Sequence, residues 1–95
     1  MKILWTPEAE QDRLAIWDHL EARDPDAAVR IDRLFSDAVA GLADFPMLGH
    51  EGEVPGTREL TPHRSYRIIY AVEADSVWIL VVIHTARQWP PLPTG

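Results

Sequence analysis

The 95-residue sequence predicts an α+β fold in which helices come first and a sheet follows. Three observations carry this. Thr6-Pro7 and Asp24-Pro25 each place a capping side chain before a proline, the signature of a helix start. A proline- and glycine-rich stretch at 46–57 (PMLGHEGEVPGT) closes the helical half. Two runs rich in β-branched and aromatic residues, 65–73 (SYRIIYAVE) and 76–84 (SVWILVVIH), then flank Ala74-Asp75 as an antiparallel hairpin.

Residues 2–5 are too short for anything but a strand. The first helix runs from Pro7 to about Ala22, with Glu8 and Glu10 at the positive end of its dipole and Ala9, Ile16, Trp17 and Leu20 on one face. Arg13 interrupts that face as a snorkelling stem. The second helix carries a cleaner stripe, Ala28, Ile31, Phe35, Ala38, Leu42 and Phe45, and Pro46 ends it. The loop at 46–57 is long enough to be functional. Residues 57–61 form a weak strand stopped by Pro62, and the tail from Gln88 to Pro93 holds no regular structure.

With Ala74-Asp75 as the turn, Val72, Tyr70, Ile68 and Tyr66 oppose Val77, Ile79, Val81 and Ile83 on the face that meets the helices. Ala71, Ile69 and Arg67 oppose Trp78, Leu80 and Val82 on the other, with His84 diagonal to Arg67. Two helices cover one face of a small sheet. The second apolar face therefore needs the Trp89–Leu92 tail or a partner, and a partner is the favoured reading.

Composition narrows the function. Apolar residues make up 46% and charged residues 25%, ordinary values for one globular domain spanning 1–95, with 91–95 a flexible tail. Cysteine is absent, which removes disulfides, thiolate metal sites and a cysteine nucleophile. No apolar run approaches a membrane span and no signal segment opens the chain, so the cytoplasm is the expected compartment. The net charge of −6 opposes strong phosphate-driven binding of nucleic acid. Residues 7–44 hold four arginines against ten acids, whereas 57–95 hold four arginines against three acids. The acidity thus belongs to the helices.

His19, His50, His63 and His84 lack the spacing of a metal site, so no metal or cofactor is implied. Ser36, Ser65 and Ser76 have no glycine-flanked elbow, and the glycines at 49–56 precede no helix and no lysine. The remaining group is basic: Arg58, Arg64, Arg67, His84 and Arg87. Arginines that grip phosphate beside a histidine that moves a proton are the minimum kit for RNA cleavage. The same residues are equally at home as solvated or paired surface charges.

The order and spacing of several segments resemble the RelE/ParE superfamily of toxins from type II toxin–antitoxin systems. They are Trp5-Thr6-Pro7-Glu8-Ala9-Glu10-Gln11-Asp12, Ile16-Trp17-Asp18, Phe45-Pro46-Met47-Leu48-Gly49, Pro55-Gly56-Thr57-Arg58-Glu59-Leu60, Tyr66-Arg67-Ile68-Ile69-Tyr70 and Ile83-His84-Thr85-Ala86-Arg87-Gln88-Trp89-Pro90. The resemblance implies a β-α-α-β-β-β fold and a cognate antitoxin forming a hetero-oligomer with the toxin. The antitoxin's flexible segment lays a helix on the hairpin or adds extended chain near the sheet, with Trp17, Leu20, Trp78, Leu80 and Val82 as candidate contacts.

RelE-like members cut mRNA on the ribosome with basic residues and often a C-terminal tyrosine or histidine, whereas ParE-like members poison DNA gyrase. This chain has no tyrosine after Tyr70 and no lysine after Lys2, and His50 stands where relatives often place an arginine. The ParE-like reading is therefore preferred, with Arg58, Arg67, Arg87 and Trp89 as candidate target contacts. In the alternative endoribonuclease, Arg67, His84 and Arg87 are the candidate catalytic residues. A third reading is a non-toxic member that only binds an antitoxin.

Overall fold

The structure, a computed structural model, describes residues 1–92. Residues 93–95 of the expected tail lie outside the described residues, and Pro91 and Leu92 have no regular structure. Strand β1 (Lys2–Trp5) leads into helices α1 (Pro7–Glu21) and α2 (Pro25–Gly41), followed by β2 (His50–Glu51), β3 (Arg58–His63), β4 (Tyr66–Glu73) and β5 (Ser76–His84). The five-stranded sheet has the order β1-β5-β4-β3-β2, with β1 parallel to β5 and every other pair antiparallel.

Both helix starts are as expected. Thr6 accepts from Ala9 N and Asp24 from Ala27 N, each with proline in the first turn. Ala28, Ile31, Phe35 and Leu42 of the α2 stripe are buried, and the last three pack with Ala9, Val39, Tyr66, Ile68, Tyr70, Val77, Ile79 and Val82 as one core. Each large side chain sealed there contributes about 1.5–3 kcal/mol. Arg13 ties the two helices together. Its guanidinium forks onto the Asp32 carboxylate at 2.6 and 2.9 Å, donates to Ser36 Oγ and lies 5.1 Å from the centre of the Trp5 ring.

Three expectations are corrected. Helix α2 stops at Gly41, so Phe45 leaves the stripe and stands 67% exposed. The loop at 46–57 contains β2, and β3 runs through Pro62 to His63 with an irregular register between Leu60 and His63. The largest correction lies in the hairpin. Val72–Val77, Ala71–Trp78 and Tyr70–Ile79 pair as expected, but Leu80 is an extra residue, and Ile69 then faces Val81. From that bulge onward every β5 side chain changes face. Val82 enters the core at 3% exposure, while Val81 and Ile83 take the far side. Val82 is therefore withdrawn from the exposed antitoxin-contact set.

The loop after α2 is fastened from below. The Tyr70 hydroxyl donates to Pro46 O at 2.8 Å and accepts from Gly49 N at 2.9 Å. Arg58 donates to Gly49 O from Nε and Nη2, and to Met47 O. Gly49 packs so tightly that a Cβ there would stand 2.5 Å from Glu59 O. Tyr70→Phe removes both hydroxyl bonds while keeping the ring. It is expected to cost about 2 kcal/mol, a fall in melting temperature of about 10 °C for a domain of this size. An unchanged thermal midpoint would refute this anchoring role.

Candidate functional site

The bulge decides which basic residues meet. His84 pairs with Tyr66 on the helix side of the sheet, whereas Arg67 pairs with Ile83 on the far side. The expected diagonal contact of Arg67 with His84 on one face does not exist.

On the far side, Arg67 and Glu59 form a largely sealed ion pair. Arg67 Nη1 donates to Glu59 Oε1 at 3.2 Å, with side-chain exposures of 19% and 4%. Arg67 Nη2 donates to the Arg87 carbonyl at 2.8 Å, bringing the chain after β5 back over this face. Arg67 Nε is buried without a partner, as is the indole Nε1 of Trp89. A cleft of about 520 Å³ opens above the pair, lined by His50, Glu51, Glu53, Glu59, Thr61 and Arg67 among others. Its three carboxylates outnumber its single guanidinium, so it repels a phosphate.

Along the edge of β5 that β1 leaves unpaired beyond Ile79, a groove of about 540 Å³ runs beside α1 and takes residues from both sheet faces. Asp12, His19, Tyr66, His84 and Arg87 bring polar groups to it, and Ile16, Val81 and Ile83 line its apolar part. The Tyr66 and His84 rings meet edge to face at 5.5 Å. Ala86 N donates to His84 Nδ1 at 3.0 Å, so a neutral ring carries its proton on Nε2. Neither His19 nor Tyr66 is a site candidate from the sequence; Tyr66 lies in the core as the alternation predicts and also lines this groove.

The third feature is a depression of about 500 Å³ on the hairpin, lined by Trp5, Glu10, Arg13, Leu14, Trp17 and Asp32. Leu14 is 52% exposed there, and Trp17 donates its indole N–H to Glu21. Leu20 packs partly buried against the core. Trp78, and Leu80 at the bulge, are half-buried. Arg87 is exposed, whereas Arg58 is occupied by the carbonyls of the loop it braces. Glu59 bonds Arg67 rather than its neighbour Arg58. Among the described residues, no cluster of three or more His, Asp or Glu is placed to hold a metal ion, and no helix is long and apolar enough to cross a membrane.

A family model described as the ParE toxin of the type II toxin–antitoxin system parDE matches residues 3–89. The protein named "Putative toxin Y4kP" of Sinorhizobium fredii (strain NBRC 101917 / NGR234) is 39% identical over 90 residues, covering 94% of this chain and 93% of that one. A solved structure described as the chromosomal ParDE TA system from P. aeruginosa superposes with a TM-score of 0.78 at 28% identity, over 88% of this chain and 95% of that chain. The YoeB/ParE toxin from Agrobacterium tumefaciens has the same fold, with a TM-score of 0.65 at 16% identity over 88% and 98% of the two chains.

Arg67→Ala leaves the Glu59 carboxylate sealed without its partner. It is expected to cost about 3 kcal/mol in urea unfolding. The apolar double variant Glu59→Leu/Arg67→Leu is expected to lose clearly less. A single variant no less stable than the double would show that the pair is not a structural unit.

Proposed function

The chain belongs to the ParE toxin family of type II toxin–antitoxin systems, and from that premise we propose that it inhibits growth by binding DNA gyrase, and that a cognate antitoxin neutralises it. The carrying observation is the separation of Arg67 from His84. Arg67 braces Glu59 and the Arg87 carbonyl on one side of the sheet, while His84 stands beside Tyr66 on the other. A nuclease needs its phosphate grip and its proton-transfer group around one reacting atom. Recognition of a protein surface makes no such demand.

The antitoxin is proposed to lie on the helical hairpin across Trp5, Leu14 and Trp17, whose depression offers apolar area beside the Arg13–Asp32 fork. Its extended part is proposed to follow the groove beside β5. There β1 ends at Trp5, and the Val82 amide is capped only by the Asp12 side chain, at 3.1 Å. An incoming strand fits such an edge. The relative from P. aeruginosa, described as a ParDE system, supports this partner.

One observation favours the ribosome-dependent endoribonuclease as a second reading. His19, Tyr66, His84 and Arg87 share a groove, and together they offer two imidazoles, a phenol and a guanidinium. Since Arg67 is structural, His84→Ala is the informative variant. The gyrase reading expects purified toxin to inhibit plasmid supercoiling by gyrase, antitoxin to restore it, and His84→Ala to remain toxic. New ribosome-dependent mRNA 5′ ends that disappear in His84→Ala, with supercoiling untouched, would establish the endoribonuclease instead.

A further inference from the structure

The charges of the helical hairpin are unevenly matched. Helix α1 holds Glu8, Glu10, Asp12, Asp18 and Glu21 against Arg13 alone, and Arg13 is forked onto Asp32 of α2. Helix α2 balances its remaining charges, with Arg30 four residues after Asp26 and Asp37 four residues after Arg33. The other bases near the hairpin are matched or face elsewhere. Arg23 adjoins Asp24 in the turn, and His19 and Arg87 line the groove at the β5 edge with Asp12. Lys2, next to the core-facing Ile3, belongs to the far side of the sheet. Glu8, Glu10, Asp18 and Glu21 are exposed, and they leave a surplus of negative charge on the outer side of α1. That surplus flanks an apolar site. Glu10, Leu14, Trp17 and Glu21 are spaced four, three and four residues apart, which sets them in one row along the helix. Leu14 is 52% exposed, and Val29, three residues before Asp32 on α2, is 46% exposed. The Trp17 indole is fixed by its 2.8 Å bond to Glu21 Oε2. The row is apolar in the middle and acidic at both ends, with Glu10 and Glu21 about 16 Å apart along the helix axis.

We propose that this row is the recognition site for a basic amphipathic helix of the antitoxin. That helix carries lysine or arginine about three turns apart, to meet Glu10 and Glu21, and apolar residues between them, to meet Leu14 and Trp17. The proposal rests on the reading that an antitoxin lies on the hairpin, and it adds the chemistry by which the partner is chosen. The depression at Trp5, Leu14, Trp17 and Asp32 lies between two packed helices, and the ridge of a third helix fits such a groove. The acids at both ends are exposed, so their part is to steer and orient the partner, while the apolar middle holds it. A second copy of this chain does not fit. Its α1 presents the same acids, and its α2 has no surplus of positive charge. A phosphate backbone does not fit either, because the acids repel it.

The test uses the full chain and its cognate antitoxin, encoded beside it and co-purified with it. Glu10→Gln/Glu21→Gln keeps an acceptor for the Trp17 indole, so its melting temperature is expected to stay unchanged. Its affinity for the antitoxin is expected to fall about fivefold at about 50 mM NaCl, chiefly through slower association, and to match the parent at about 0.5 M NaCl. Glu10→Lys/Glu21→Lys is expected to lose at least about thirtyfold at the lower salt, and replacing the two partner bases by glutamate is expected to restore most of that loss. Leu14→Ala is expected to weaken binding about tenfold at both salt concentrations. Weakened binding by Leu14→Ala with an unaltered glutamine variant overturns the basic helix and leaves the antitoxin on the hairpin. Parent affinity in all three variants removes the antitoxin from the hairpin and overturns both. A glutamine variant that keeps its antitoxin affinity but loses gyrase inhibition assigns the acids to the target. One that changes the sedimentation of the free chain assigns them to a second copy. Either result overturns the proposal.

Discussion

The extra residue in β5 is the constraint on which the remaining geometry depends. Two residues, the α1 cap Thr6 and Asp12 within the helix, hold the bulge. Thr6 N donates to the Ile79 carbonyl and Thr6 Oγ1 to the Leu80 carbonyl, so one residue receives two successive carbonyls that a regular strand would point apart. Asp12, further along α1, accepts from the Val82 amide. The Thr6 hydroxyl also caps α1, which couples the helix start to the strand irregularity. The β1–β5 pairing ends at Trp5 and Ile79, where this arrangement begins. The bulge thus ends the parallel pair, seats the first helix and turns Val82 into the core in one step.

This also explains which parts of the fold could be read from the sequence. Helix starts, the turn at Ala74-Asp75 and the buried stripe of α2 are local patterns, with every determining residue inside the element concerned. The bulge depends on Thr6 and Asp12, roughly seventy positions away in sequence, and the apolar run from Val77 to Ile83 has no alternation to disclose a slip. The error passed directly into the site. An unbulged strand puts His84 beside Arg67, and the real one puts it beside Tyr66. Strand β2 is not legible in the sequence for a related reason. It has only His50 and Glu51, and its pairing with Glu59 and Arg58 rests on the loop being fastened elsewhere.

Arginine was the least legible residue type. Arg13, read as a stem lying on an apolar face, is an interhelical clasp. Arg58 and Arg67, read as candidate target contacts, have their guanidinium groups directed at carbonyls and at Glu59. A planar fork with five donors serves a buried carbonyl or carboxylate as well as it serves a phosphate. Only the partner tells the two uses apart, and each partner comes from a different element of the fold.

The use of arginine in turn bears on mechanism. In a chain of net charge −6, binding a polyanion requires free guanidinium groups gathered on one surface. Here three arginines are engaged internally, and the cleft above Arg67 is rimmed by acids. What the domain presents outward is shape: a stiff apolar loop beyond α2, a shallow hairpin depression and a half-open sheet edge. Charge that holds the fold rigid and apolar surface that the fold keeps exposed support the proposal that the domain acts by binding other proteins. This division of labour gives the ParE-like reading its physical basis.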